Sequence, residues 1–403
     1  LRLVGSEMCI RDRLKTIRGM PDIFGNTLQK ISFVEEVCRK TFHAHNFQEF
    51  RTPLLEDKDI FTRSVGETSD IVQKQMYEFQ DKKGATLCLR PEGTVGLARA
   101  LLTNGLDDSE IKKFFYIGPM FRYERPQKGR KRQFNQAGIE LIADESYHAD
   151  LEVIQVGVRI LKDLNVKFKL EINYVGDVQT LSVYREHLRD FLLKNKTKIA
   201  EEFYQRLQRN PLRGLDSKDE NIKAIFSKTK KLSDFLDSNQ EQKFKSVING
   251  LEALGIEYTI NQDLVRGLDY YSGIVFEVVC NDLGAQNAIA GGGFYSELFE
   301  EFGGNSISAF GFAMGIDRLM DIASPAEDNV LKVFVLDVTE ASSNFAIQVF
   351  NRIKMLSHTT QLFFPRTKDS SLKSLLRNVN KKNGDIAIIA VSYTHLTLPT
   401  MLW

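Results

Sequence analysis

Between Arg122 and Gln133 the chain sets six cationic side chains in twelve positions, "RYERPQKGRKRQ", although its 403 residues carry a formal net charge of only +1. Arginine keeps its charge at any working pH, and its planar fork grips phosphate oxygens two at a time. Such a cluster suits a polyphosphate. The stretch is too short to track a nucleic-acid duplex, and a nucleoside triphosphate matches it in size. A solvated loop would carry a bare charge run equally well. Here Phe121, Tyr123, Phe134 and Ile139 interleave with the arginines, so the ends of the segment belong to a packed surface while its tip is free.

Three carboxylates belong to the same part of the chain: Glu92 in "RPEGT", Glu124 among the arginines, and Glu140 in "NQAGIELI". An unpaired carboxylate among apolar residues is costly, so each must face a cation or a donor. An ion pair inside a sheet would satisfy any one of them. Three converging on arginine-rich strands point to an amino group or a metal in a pocket. Other chemistries lack their residues. No GxxxxGK[ST] segment cradles phosphate, and no GxSxG elbow presents a serine. The six histidines, His43, His45, His148, His187, His358 and His395, stand away from these segments, which removes imidazole acid–base chemistry and a histidine metal cluster. Four cysteines without a CxxC pair give neither a zinc site nor a disulfide framework. What remains is catalysis by positioning and charge, with guanidinium groups set against an anion that gains charge in the transition state, as phosphoryl and nucleotidyl transfer require. The run "AGGGFY", residues 290–295, fits either a tight turn between strands or a ligand contact.

These residues need rigid support. From Leu28 to Phe47, the residues Leu28, Ile31, Val34, Val37, Thr41 and Phe42 fall at helical spacing and predict an amphipathic helix packed on a sheet. "FQEFRTPLLE" reads as a strand stopped by Pro53. "QMYEFQD", "ATLCLRPE" and "KKFFYIGPMFRYE" follow as strands joined by Gly and Asp turns, in the manner of an antiparallel meander. The cationic stretch then occupies the tip of a hairpin whose return strand runs from Phe134 to Ile142. A helix is expected over 150–164. "KFKLEINYV" alternates, with Phe168, Leu170, Ile172 and Tyr174 on one face, as a half-buried strand does. From about 178 to 254 charged, helix-periodic sequence, broken by "NPLRGLDSKDEN", reads as a helical insertion. Strand character returns in "EYTINQDLVRGLDYYSGIVFEVVC", and "ISAFGFAMGIDRLMDIA" is a strand running straight into a helix. Past the linker "SPAEDN", the order strand, helix, strand, helix, strand ending in "DIAIIAV" is the start of a parallel α/β domain that stops short.

The totals bound the rest. Basic and acidic residues, 54 against 53, nearly cancel, so a polyanion must be met by local clusters rather than by bulk charge. No apolar run nears the roughly 18 residues of a membrane span. The start, "LRLVGSEMCIRDR", lacks the apolar core and cleavage site of a signal peptide, which leaves a cytoplasmic location as the default. Residues 1–13 and the tail "SYTHLTLPTMLW", 392–403, read as foreign segments joined to the coding frame.

At this point the segments resemble a known family. "FQEFRTPLLE", "FRYERPQKGRKRQF" and "GFAMGIDRL" are similar to motifs 1, 2 and 3 of the class II aminoacyl-tRNA synthetases. "LRPEGT", "NQAGIELI" and above all "LVRGLDYYSGIVFE" resemble segments peculiar to the histidyl-tRNA synthetases, and the likeness runs from residue 17 to residue 391. It implies an α/β fold class: an α+β catalytic domain with an antiparallel β-sheet flanked by helices, in two parts at 14–177 and 255–325. A helical insertion lies at 178–254, and a partial anticodon-binding-like parallel α/β domain at 331–391. It also implies a cytoplasmic homodimer that joins L-histidine to ATP, releases pyrophosphate, and passes the histidyl group to the 3′ end of its tRNA, with Mg2+ carried by ATP. Carried over residue by residue, the resemblance gives Arg122 to the α-phosphate, Arg318 to the γ-phosphate and Arg130 to the departing pyrophosphate. Glu124 goes to the adenine and ribose side. Arg266 goes to the α-phosphate and the histidine carboxylate, and Glu92, Thr94 and Gln136 go to the ammonium group. Glu140 and Tyr271 take the two ring nitrogens, with Tyr270 and Tyr295 as walls. No metal-ligating set is implied.

The chain departs from the family where Phe294 and Ser296 flank Tyr295 in place of an arginine and an aspartate, which questions the local support of the imidazole pocket and leaves the reaction class intact. Two other readings keep the same core: a non-catalytic regulatory subunit of ATP phosphoribosyltransferase, and an inactive synthetase fragment. Such a subunit usually loses the ATP-binding arginines, whereas Arg122, Arg130, Arg266 and Arg318 are all present.

Overall fold

The computed structural model describes residues 15–66, 69, 71–108, 110–127, 129–217, 219–283, 287–324, 332–337, 343–356, 361–363 and 371–390. The expectations placed on 1–13, on the linker from 325, on Lys128 and on the tail 392–403 lie outside the described residues. The chain divides into two compact units with their boundary after Ser324.

The first unit opens with helix α1 (Gly25–Ala44), then β1 (Gln48–Glu49), β2 (Leu55–Asp57), α2 (Lys58–Val65), β3 (Tyr77–Gln80), β4 (Thr86–Leu89) and α3 (Thr94–Thr103). The hairpin strands β5 (Lys112–Phe121) and β6 (Gln133–Ile142) follow, then α4 (Tyr147–Asp163) and β7 (Lys169–Tyr174). The charged stretch forms α5 (Val178–Lys194), α6 (Glu201–Arg209), α7 (Glu220–Phe226) and α8 (Ser238–Ala253). Aspartates Asp177, Asp219 and Asp237 each accept a backbone N–H at the start of α5, α7 and α8, which satisfies amides that the helix itself leaves free. The unit closes with β8 (Thr259–Ile260), β9 (Ser272–Val279), β10 (Ala288–Tyr295), β11 (Ala309–Gly315) and α9 (Ile316–Ile322).

Eight strands make one sheet in the order β1-β5-β6-β11-β10-β9-β7-β8, antiparallel throughout except at its edges, where β1 runs parallel to β5 and β8 parallel to β7. The segment expected as one strand before Pro53 is divided instead. β1 joins this sheet, while β2 turns away to pair with β4 in a small sheet of order β2-β4-β3. The meander expected there omitted α2 and α3. The residues of α3 are buried nearly all round, from Thr94 to Leu101, so it carries no polar stripe by which sequence periodicity would reveal it.

Side chains alternate across the large sheet. On one face Ala137, Ile139 and Leu141 of β6, Phe310, Phe312 and Met314 of β11, and Ile274, Phe276 and Val278 of β9 pack against α1 and α4 as a single apolar layer. Helix α1 supplies Ile31, Val34, Cys38 and Phe42 at helical spacing, whereas Leu28 is exposed. The three described cysteines, Cys38, Cys88 and Cys280, are buried thiols. The other face of the same strands presents Gln136 and Glu140 of β6, Ala313 and Gly315 of β11, and Glu277 of β9.

The second unit comprises β12 (Lys332–Asp337), α10 (Ser343–Leu356), β13 (Gln361–Phe363), α11 (Leu372–Lys381) and β14 (Ile386–Ala390). Its three strands are parallel in the order β13-β12-β14.

Candidate active site

A cavity opens on the second face of the sheet, and the expected site residues converge on it from four segments. Arg122, Glu124, Arg130 and Lys131 come from the β5–β6 connection. Glu92 and Thr94 come from the start of α3, Arg266, Tyr270 and Tyr271 from the run between β8 and β9, and Arg318 from α9; Gln136 and Glu277 rise from the strands beneath. Five cations against three carboxylates line it, so its field favours an anion. Glu140 and Tyr295 do not line it. They lie behind it, buried, and reach it through Thr94.

Each cation is held by the fold. Arg122 Nε donates to the Pro91 carbonyl at 2.9 Å, and its guanidinium lies 5.3 Å from the centre of the Phe134 ring. Burial lowers its pKa, opposed by the nearby Glu124 and Glu92. Arg130 pairs with Glu124 at 3.2 Å. Arg318 Nε donates to the Gly129 carbonyl at 3.0 Å, and Nη1 to the Ala288 carbonyl, so α9 grips both the cationic loop and β10. Next to it, Asp317 binds Lys131 Nζ at 2.6 Å and accepts the Asn135 N–H at 2.5 Å, just where the β6–β11 ladder ends at Gln136 and Gly315. Arg266 pairs with Glu277 at 2.8 Å and lies 5.8 Å from the centre of the Tyr271 ring.

The carboxylates form a linked network. Glu92 caps α3, accepting the N–H of Thr94 at 2.8 Å and of Val95 at 2.7 Å. Thr94 Oγ1 donates to Glu140 Oε1 at 2.6 Å, and the Tyr295 hydroxyl donates to Glu140 Oε2 at 2.8 Å. Burial pushes the Glu140 carboxyl up to about 8, against the two hydroxyls and with the help of the neighbouring Glu92 charge. Burial raises Glu92 as well, opposed by its two backbone N–H donors and by Arg122.

The glycine run is neither a turn nor a loop: it lies inside β10. A Cβ on Gly291 would strike the Arg266 guanidinium, and one on Gly311 of the neighbouring β11 would strike Glu140. The strands are bare there because charged groups lie directly against them. Two residues escaped the sequence analysis. Glu277 stands as the one ionisable residue in "GIVFEVV", a signal that a strand otherwise apolar on both faces has a polar duty at that place. Tyr116 is 5 % exposed and wedged between Gly93 and Gly138; no sequence signal marks it.

A family model described as histidyl-tRNA synthetase matches residues 19–319. The chain belongs to the histidyl-tRNA synthetase family. A histidine–tRNA ligase of Hydrogenovibrio crunogenus is 42 % identical over 382 residues, covering 94 % of this chain and 89 % of that one. One from Wolbachia pipientis is 38 % identical over 377 residues, 93 % and 91 % of the two chains. The apo histidyl-tRNA synthetase of S. aureus superposes with a TM-score of 0.73 at 28 % identity, covering 94 % of this chain and 91 % of that one. The antiparallel sheet flanked by helices and the parallel α/β second unit are the fold expected of the family. Among the described residues no helix is long and apolar enough to cross a membrane, and no three His, Cys, Asp or Glu side chains gather as a metal site.

Proposed function

We infer that the chain is a histidine–tRNA ligase whose reaction is run by the cavity described above. The observation that carries this is the meeting of guanidinium groups from three separated segments, Arg122, Arg266 and Arg318, around one cavity that also holds Glu92, Thr94 and Gln136. Relatives at 38 % and 42 % identity are ligases, and the intact arginines disfavour a regulatory paralogue.

In this reading Arg318 and Arg130 hold the terminal phosphates of MgATP, with Mg2+ entering as part of that substrate, and Glu124 faces the nucleoside. Glu92, Thr94 and Gln136 take the histidine ammonium. Gln136 Oε1, the Tyr270 hydroxyl and Arg266 Nε are buried with no protein partner, and an unsatisfied buried polar group calls for a ligand. The histidine carboxylate attacks the α-phosphorus, the bond to the β-phosphate oxygen breaks, and pyrophosphate leaves. Arg122 and Arg266 sit where negative charge grows on the α-phosphate, which is where fixed positive charge lowers a barrier most. Glu140 and Tyr271 address the two ring nitrogens. Glu140, whose oxygens Thr94 and Tyr295 hold in place, is the polar partner offered to one ring nitrogen, so an amino acid without that group leaves buried polar atoms stranded and is rejected. The 3′-terminal adenosine of the tRNA then attacks the acyl carbon and AMP leaves. The protein works as a homodimer in the cytoplasm, and the second unit meets the anticodon.

Exchange of labelled pyrophosphate into ATP tests the first step. It should require histidine and should not occur with leucine. Equal exchange with leucine, or none with histidine, would overturn the pocket assignment.

A further inference from the structure

Arg266, Leu268, Tyr270 and Tyr271 all line the cavity, yet the run from Asn261 to Tyr271 that carries them belongs to no strand or helix. Some other part of the molecule has to fix it. From the β7 side, the Asn173 amide donates to the Leu264 carbonyl at 3.0 Å. The stretch nearest Arg266 is held from elsewhere, by "NPLRGLD", the segment that interrupts the helical excursion between α6 and α7. There Arg213 Nη2 donates to the Gly267 carbonyl at 2.8 Å, and the Asn210 amide donates to Asp269 at 3.3 Å. Arg213 is itself aimed by Asp216, whose carboxylate accepts from Nη1 at 3.2 Å.

The holder is tightly packed. Pro211 begins a 3-10 turn, Pro211–Gly214, with Pro211, Leu212 and Gly214 buried, and proline presets the backbone for such a start. A Cβ on Gly214 would run into the Phe226 ring of α7, so the turn is pressed onto that helix. A guanidinium with two acceptors in fixed places is the side chain best able to pin a carbonyl, since its fork is planar and its charge permanent.

We propose that Arg213 is a positioning residue for Arg266: the helical excursion acts as a bracket that sets the backbone on which the α-phosphate arginine stands. The excursion is therefore part of the amino-acid activation machinery and would be needed even where no tRNA is present. This rests on the role given to Arg266 above.

Arg213→Met keeps the aliphatic stem and removes both charged bonds. It should lower histidine-dependent pyrophosphate exchange by about 10-fold, as for loss of a charge-assisted hydrogen bond, through kcat rather than through the KM for histidine. In an Arg266→Ala background the same change should have no further effect, because the group being positioned is gone. Arg213→Lys, which retains one donor for the Gly267 carbonyl, should recover most of the rate. Amide hydrogen exchange needs no substrate and is read in parallel: Arg213→Met should speed exchange over 264–271 and leave the β5–β6 strands unchanged. An Arg213→Met protein with the wild-type rate and unchanged exchange over 264–271 overturns the proposal, as does the same fold loss with and without Arg266. Faster local exchange in a chain whose wild type shows no histidine-dependent activity would instead uphold the bracket and remove the functional reading beneath it.

Discussion

The two faces of the eight-stranded sheet are made by the same strands and do opposite things. In β6, Ala137, Ile139 and Leu141 point into an apolar layer, while Gln136, Gly138 and Glu140 alternate with them on the opposite face. In β9, Phe276 and Val278 flank Glu277. A strand has a side-chain period of two, so consecutive residues are assigned to stability and to chemistry in turn, and neither set has to compromise for the other. On the far side Glu140 and Arg266 lie against the glycines Gly311 and Gly291. The polar face carries what the first must stabilise: a carboxyl driven out of its ordinary range by burial.

This contrast can be tested from both sides. The largest effect is expected on the apolar face. Phe312 is 1 % exposed and stacks edge-on to Phe276 at 6.3 Å, so Phe312→Ala should cost about 3–5 kcal/mol of stability in denaturant unfolding with the rate per folded molecule unchanged. A smaller free-energy change, of the opposite kind, is expected at Arg266. Arg266→Ala should lower the exchange rate by about 100-fold or more while costing less stability than Phe312→Ala, since the Glu277 carboxylate it leaves unpaired is partly exposed. If Phe312→Ala altered catalysis per folded molecule, or Arg266→Ala melted the protein, the separation of faces would fail.

A dependence on pH sharpens the contrast. Glu140 is raised to about 8 in the folded chain, against about 4.3 for an ordinary glutamate. The folded state therefore binds this proton more tightly, and stability is fully present below the ordinary value and is lost as pH rises through the folded one. Glu140→Gln removes that loss. Its melting temperature relative to wild type should climb steadily from pH 5 to about pH 8 and level off above that, even as histidine activation falls. A flat difference across this range would mean that Glu140 is already ionised in the folded protein at low pH.

How much of this was legible depended on where each residue's partner lies in the chain. The β5–β6 hairpin was readable because its apolar alternation and its charged tip are both local. The arginines were readable as anion ligands because guanidinium has few other uses at a packed surface. Helix α3 was hidden because burial on all sides erases the periodicity that reveals a helix. The glycine run was ambiguous because its reason is not local: Gly291 is bare on account of Arg266, and Gly311 on account of Glu140, a residue far back along the chain. The segment "NPLRGLD" looked like a break between helices, and only the position of the Gly267 carbonyl gives it a purpose.

Strands β7 and β8 lie side by side and point the same way. Two such neighbours cannot be joined by a tight reversal, since the chain must travel back past the whole strand before it can start again, which takes about a dozen residues or more. Evolutionary pruning of the helical excursion thus has a lower limit. Any shortened descendant must keep a return segment of that length, and α8, which ends just before β8 and lies against α4 through Gly250 and Leu151, is the piece already in place to be that remnant.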